Sequence, residues 1–221
     1  MPMATGEARG APGEERRERE VKLELAGASD HERLLAALPP PFEVREQRNH
    51  YFDLPEGALR TAGVMLRLRI EGDSARLTVK EGARRDAAGL FDSAEREEVV
   101  DRPAALAVAE GRAPFTSLGG ELIASLAARF GSLGALARWG SLANRRSRHR
   151  LPDGLVVEVD RAVYPDGSVL HEVELEIEGE AAGEPESSRR RLEIWLDAAR
   201  AEWRPSTASK AERLALRSTG R

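Results

Sequence analysis

Glu18, Glu20 and Lys22 alternate with Arg19, Val21 and Leu23 near the start of the chain. Successive side chains of an extended strand point to opposite faces. Glu18, Glu20, Lys22 and Glu24 therefore share one face, and Val21, Leu23 and Leu25 the other. The arrangement recurs. Arg67 and Arg69 alternate with Leu66, Leu68 and Ile70, and Arg76, Thr78 and Lys80 share one side of the next segment. Arg146, Arg148 and Arg150 follow the same rule, as do Glu158 and Asp160, and Glu172, Glu174, Glu176 and Glu178 alternate with Val173, Leu175 and Ile177. Such strands either turn their charges to bulk water or close around a wet, charged interior. Glutamate is depleted in strands, and like charges facing each other destabilise a sheet. Burying this many ions for stability alone gains little, because desolvation costs several kcal/mol per ion. A functional interior is the better reading. Carboxylates gather a hard divalent cation, magnesium or manganese. Arginines grip phosphate oxygens with bidentate forks and lysines act as point charges. The ligand that fits both is a metal-bound polyphosphate.

The elements that must position these residues can be read between turn signals. Residues 1–16, rich in Ala, Gly, Pro, Glu and Arg without periodicity, read as a disordered tail. Ser29-Asp30-His31-Glu32 has the form of a capping box opening a helix, and Pro39-Pro40-Pro41 stops it. Phe42–Asp53 reads as one or two strands, Val64–Glu71 and Ala75–Lys80 as a hairpin, Glu81–Leu90 as a polar loop and Glu95–Val100 as a further strand. In that strand Arg96 and Glu98 are expected in the interior, with Glu97 replacing Glu98 if the register shifts by one. Pro103–Gly140 reads as an inserted helical segment, including Leu133 to Trp139 at helical spacing. Strands resume at Asn144–Arg150, Leu155–Asp160 and His171–Glu178, then a loop over Gly179–Ser188, a helix over Arg191–Trp203 and a last helix over Thr207–Arg217 that carries Lys210. A single domain over 17–221 is expected, with the insertion at about 103–140.

Composition narrows the function classes. The 221 residues are 41% hydrophobic, 33% charged and only 5% aromatic, with net charge −4, so neither a base-stacking platform nor a dedicated nucleic-acid partner is expected. Cysteine is absent and the four histidines lack metal-ligand spacing, which leaves oxygen ligands for any metal. No apolar run approaches the ~20 residues that span a membrane, and no signal-peptide core opens the chain. A cytoplasmic protein, monomeric or homodimeric and without membrane contact, is expected. His171 reads as a strand-edge residue, Asp53 as a turn cap, and Trp195 and Trp203 as helix packing.

Glu18-x-Glu20-x-Lys22 resembles the ExExK signature of the CYTH superfamily, the triphosphate tunnel metalloenzymes. Later motifs follow in the same order: Tyr51-Phe52-Asp53 (with Leu54 where the family has Thr), Arg67-x-Arg69, Thr78-x-Lys80, Glu158-Val159-Asp160, Glu172-Val173-Glu174-Leu175-Glu176 and Ser209-Lys210. The segment Gln47–Asp53 is most similar to the plant-type tripolyphosphatase branch. The resemblance implies an α+β fold, a closed eight-stranded antiparallel β-barrel forming a triphosphate tunnel with flanking helices. It implies that Glu18, Glu20, Glu172 and Glu174 are catalytic and hold Mg2+ or Mn2+. Lys22, Arg67, Arg69, Lys80, Arg96, Arg146, Arg148 and Lys210 would bind the substrate, and Glu98, Glu158, Asp160 and Glu176 would support them. The implied reaction is metal-dependent hydrolysis of inorganic triphosphate, a small-molecule substrate, with water attacking a terminal phosphoryl. Thiamine or nucleoside triphosphate hydrolysis, a class IV-type adenylate cyclase and a non-catalytic polyphosphate-binding module are the alternatives.

Overall fold

The computed structural model of the protein describes residues 15–177 and 184–218. Most of the expected tail, Glu178 and much of the Gly179–Ser188 loop lie outside the described residues. Glu15 and Arg16 are already strand.

The sheet contains β1 (Glu15–Leu25), β2 (Glu43–Asp53), β3 (Val64–Glu71), β4 (Ser74–Arg85), β5 (Leu90–Val100), β6 (Ala137–Arg150), β7 (Val156–Val163), β8 (Val169–Glu176) and β9 (Trp203–Pro205). The helices are α1 (Ala28–Ala37), α2 (Ala58–Thr61), α3 (Arg102–Ala109), α4 (Glu121–Phe130), α5 (Pro185–Ala198) and α6 (Lys210–Ser218). Spatial order is β5-β4-β3-β2-β6-β7-β8-β1, and β1 also pairs with β5, so eight antiparallel strands close into a barrel. The short β9 continues the β1 edge beyond β5, opposite Leu23–Leu25. The seam is tight: Lys22 N–H donates to Gly89 O at 2.8 Å. A Cβ on Gly89, which has φ +83°, would lie 2.5 Å from Lys22 O, so this position favours glycine on two counts.

Period-two alternation places the two larger apolar cores outside the barrel. Leu66, Leu68, Leu77 and Val79 pack against Ala105 of α3 and Leu122 and Leu126 of α4. Val21, Leu23, Val157, Val159, Val173 and Leu175 pack against Leu34 of α1 and Leu192 and Leu196 of α5. A smaller cluster of Tyr51, Leu142, Ala162, Tyr164 and Leu170 receives Leu214 of α6. Gly140 admits that helix, since a Cβ there would stand 2.7 Å from Leu214 Cδ2. Among the described residues no helix is long and apolar enough to cross a membrane.

Several expected elements differ. The Glu81–Leu90 loop is largely strand: β4 runs to Arg85, with a register shift between Glu81 and Arg84, and returns as β5 from Leu90. Leu133 to Trp139 is not helical. Gly131, at φ +78°, ends α4, and β6 starts at Ala137. The Ser29 box does not form, because α1 starts at Ala28 after Gly27 and Ser29 Oγ accepts from Arg33 Nη1 at 2.7 Å. The reciprocal cap occurs at α6. There Ser209 Oγ accepts from Glu212 N–H at 3.2 Å, and the Glu212 carboxylate accepts from Ser209 N–H at 2.7 Å. Helix α5 starts at Pro185 rather than Arg191, and Trp203 belongs to β9.

Candidate active site

The inner faces of the strands line a cavity of about 1310 Å³. Glu18, Glu20 and Lys22 enter it from β1, Arg67 and Arg69 from β3, Lys80 from β4, Arg146 and Arg148 from β6, Glu158 from β7, Glu174 and Glu176 from β8 and Lys210 from α6. Asp160 and Glu172 are fully buried where the cavity meets α6, beside Lys210. Cross-strand register explains the gathering. Lys22 lies opposite Glu174, Glu174 opposite Glu158, Glu158 opposite Arg148, and Arg146 opposite both Asp160 and Arg45.

Two of the expected interior residues are elsewhere. Arg96 points outward, donating to Ser125 Oγ of α4 at 3.0 Å. Glu98 also points outward and caps that helix, accepting from Glu121 N–H at 3.2 Å and Leu122 N–H at 3.0 Å. A carboxylate there satisfies free N–H groups and meets the positive end of the helix dipole. Glu95 and Glu97 take the interior positions. Four consecutive charged residues carry no alternation, so the phase of β5 was unreadable from the sequence. Gln47, Asn49 and Asn144 also line the interior. They are neutral amides that a search for charge passes over, although Asn49 and Gln47 fall on alternate positions of Phe42–Asp53. Four aromatic residues, Tyr51, Phe52, Phe91 and Trp139, line the cavity. Asp53 serves as a cap, accepting from Leu54 N–H and Leu59 N–H, each at 2.8 Å.

The wall is divided by charge. On the acidic side Lys22 Nζ lies 2.9 Å from Glu20 and 3.0 Å from Glu174. Lys210 Nζ lies 2.5 Å from Glu174 and 2.9 Å from Asp160 and also contacts Glu172. Arg146 pairs with Asp160 at 2.6 Å and Glu174 at 2.5 Å and contacts Glu158. Lys80 pairs with Glu95 at 2.9 Å and contacts Glu18. Burial opposes the charge on Glu174, yet Lys210, Lys22 and Arg146 hold its carboxyl well below the usual carboxylate range. Burial pushes the Glu20 carboxyl up, and the neighbouring Glu18 charge adds to this against Lys22 and Lys80.

The basic side is less balanced. Arg69 donates to Asn49 Oδ1 at 3.0 Å and has no ion pair among the described residues. Burial, then Arg67 and Arg146, push its guanidinium down to about 10. Arg67 donates to Thr78 Oγ1 at 3.2 Å and stands 3.7 Å from Glu97, while its buried Nε has no partner. Two adjacent half-buried guanidiniums with unused donor capacity form a receptor for an anion of dense charge.

The donor set suits a hard divalent cation. Glu18 and Glu20 sit on alternate positions of one strand, both buried, and Glu20 is destabilised by the like charge beside it. No three carboxylate or imidazole groups among the described residues converge into a preformed cage. The four carboxylates expected to hold a metal thus form two pairs, Glu18–Glu20 on β1 and Glu172–Glu174 on β8, with Lys22 opposite Glu174, and a hard cation that takes one or two carboxylates plus other oxygens fits such a pair.

The CYTH domain family matches residues 16–215. The chain belongs to the CYTH family. Among solved structures, this CYTH chain is similar to HpAC1 from Hippeastrum, described as a candidate adenylyl cyclase with a dominant triphosphatase activity. Identity is 25%, TM-score 0.81, and the match covers 90% of this chain and 95% of that one. A candidate adenylate cyclase from Bacillus halodurans aligns at 22% identity and TM-score 0.65, over 89% and 97%. PH1819 from Pyrococcus horikoshii OT3 aligns at 15% and 0.59, over 90% and 99%. These last two share the fold. Comparison with curated proteins gave no significant match.

Proposed function

We propose that this CYTH protein is a metal-dependent triphosphatase that hydrolyses inorganic triphosphate inside the barrel, water attacking a terminal phosphoryl. The observation that carries the reading is the Arg67–Arg69 pair. Arg69 is half-buried inside the barrel without an ion pair among the described residues, beside two further arginines, in the cavity that Glu18 and Glu20 also line. An anion of several linked charges satisfies the basic wall while its counter-cation meets the acidic one. The triphosphatase activity described for HpAC1 points the same way.

In this reading Arg67, Arg69, Lys80 and Arg146 hold the phosphate oxygens, with Lys22 and Lys210 completing the grip from the acidic side, and Arg148 contributes from the far end of β6. Fixed cations at the transferring phosphoryl act by positioning and by stabilising charge. Glu18 and Glu20, with Glu172 and Glu174 across the β1–β8 pairing, are the carboxylates for Mg2+ or Mn2+. A bound ion of this kind neutralises phosphate charge and orients the chain for in-line attack. Glu158, Asp160 and Glu176 keep the lysines and arginines in place.

A triphosphate that carries an organic group is the second reading. What favours it is Trp139 on the cavity wall, 5.5 Å from Tyr51 in centroid distance and covered by the Arg60 guanidinium at 4.7 Å. Phosphate release from tripolyphosphate, ATP and thiamine triphosphate, each with magnesium, manganese or EDTA, separates the two. Metal-dependent release from tripolyphosphate that Glu20→Gln abolishes supports the first. Preference for ATP or thiamine triphosphate that Trp139→Ala removes supports the second. No release from any of the three by folded protein refutes both.

A further inference from the structure

The helices cover the barrel unevenly. α3 and α4 pack on the outside of β3–β5, and α1 and α5 on the outside of β1, β7 and β8. Among the described residues the outer face where β2, β6 and the start of the β7–β8 hairpin meet carries no helix, α1 reaching only its edge at His171, and it is mixed, with exposed Val44 and Val169 beside its arginines. Arg145 and Arg161 lie directly opposite each other across β6 and β7, with Cα atoms about 4.5–5.5 Å apart in such a pair. Arg48 projects from the same face of β2, opposite Ala143. All three are exposed. Arg48 and Arg161 have no ion pair among the described residues, and Arg145 has only Glu46, 3.3 Å away with both side chains mostly in solvent. Glu32 of α1 is the other acid near this face, close to His171. The arginine field is felt locally: burial, His171, then Arg161 and Arg145 push His31 down to about 4.

Like charges facing each other across strands weaken a sheet, and an uncovered face does not require arginine. The chain as a whole is acidic, at net −4, so the cluster is a local exception. Strand β6 also links this face to the cavity. Arg145 points out, Arg150 is exposed at the strand end and stacks on Phe42 at 5.3 Å, and Arg148 and Arg146 point in. We propose that the outer face of β2–β6–β7 is a second anion site, which holds a long inorganic polyphosphate chain through Arg48, Arg145 and Arg161 while the chain end passes Arg150 toward the barrel interior. A bare phosphate chain is the occupant because the face offers guanidinium forks, and the exposed ring beside the path, Phe42, is already covered by Arg148 and Arg150, so the described residues of the face offer no row of free rings on which successive bases could stack. Among the described residues no helix or hairpin stands out from it to enter a duplex groove. A second copy of the protein would set these arginines against arginines. The proposal rests on the reading of phosphate chains as ligands, but its test needs no turnover.

Long-chain polyphosphate binding is measured by titration in the Arg69→Ala background, which weakens the interior site. Adding R48S, R145S and R161S together is expected to weaken binding at least about tenfold and to flatten its salt dependence. The same three changes in otherwise wild-type protein leave tripolyphosphate turnover as it was. Unchanged long-chain affinity in the combined variant overturns the proposal. So does tighter binding of single-stranded RNA than of polyphosphate, lost in the same variant, which would make the face a nucleic-acid site. If long chains bind but nothing is hydrolysed, the outer site stands and the triphosphatase reading falls.

Discussion

Lys210, at the start of α6, places its Nζ 2.5 Å from Glu174 Oε1 in the middle of β8. The two residues join the last helix of the chain to the interior of the barrel. A cation in the first turn of a helix opposes the helix dipole, and here Asp160, Glu172 and Glu174 more than offset that. Burial alone would lower the lysine, but these carboxylates hold it well above its ordinary value. Lys210→Met leaves three buried carboxylates short of a cation, a class of change that costs about 3–5 kcal/mol. Urea unfolding of the metal-free protein should show that loss, and Lys210→Arg should recover part of it.

Arg69→Ala is expected to separate activity from stability. The residue is crowded by Arg67 and Arg146 and pairs with no carboxylate among the described residues. Its removal should leave the unfolding midpoint of the metal-free protein unchanged or higher. Loss of one charge-assisted contact to phosphate, about 1.5–3 kcal/mol, predicts a fall of roughly ten- to 150-fold in kcat/KM for tripolyphosphate. A matching drop in stability would assign the residue to the scaffold instead.

The phase of β5 can be tested with a pair of variants. Glu98→Ala removes the cap of α4 and should cost about 1 kcal/mol of stability while kcat/KM stays near wild type. Glu95→Gln, at a buried position beside Lys80, should reduce turnover. The reverse pattern would restore Glu98 to the interior.

Acid should destabilise the fold through two outward-facing histidines. Burial first, then Arg138 and Arg48, push His50 down to about 4, and His31 is lowered to the same value. The unfolded chain titrates near 6.5, so between pH 6.5 and 4 it binds more protons than the native state. Stability therefore falls as pH falls through that window. The effect is less than the full linkage, because both rings stay partly solvated. Thermal midpoints of wild type and His50→Gln should converge as pH drops from 7 to 4. Parallel curves would remove His50 from the account.

Much of this architecture was legible in the chain because one physical rule, alternation with period two, fixes both faces of a strand at once. Leu66-Arg67-Leu68-Arg69-Ile70 can be read only one way. The rule fails where both faces are polar, as in Glu95-Arg96-Glu97-Glu98, since the outer face there meets the N-terminus of α4 rather than an apolar core. It also fails where interior residues are uncharged. Asn49 gives Arg69 its only side-chain hydrogen bond among the described residues, and nothing in its local sequence announces that. Capping was misplaced for a similar reason. Ser29-x-x-Glu32 and Ser209-x-x-Glu212 look alike on paper, and only tertiary contacts decide which forms: Arg33 engages Ser29 in the first, while α6 is held by Leu214 in its apolar nest in the second.

The apolar clusters outside β3–β5 and outside β1, β7 and β8 are separate bodies. Among the described residues they are joined by the backbone ladders at β5–β1 and β2–β6, by the charged interior and by the smaller cluster that seats α6. The apolar packing thus forms two leaves joined at two hydrogen-bonded seams rather than one oily centre. Whatever occupies the interior touches both leaves at once, so ligand should slow amide exchange most along the seams, far from any atom it contacts.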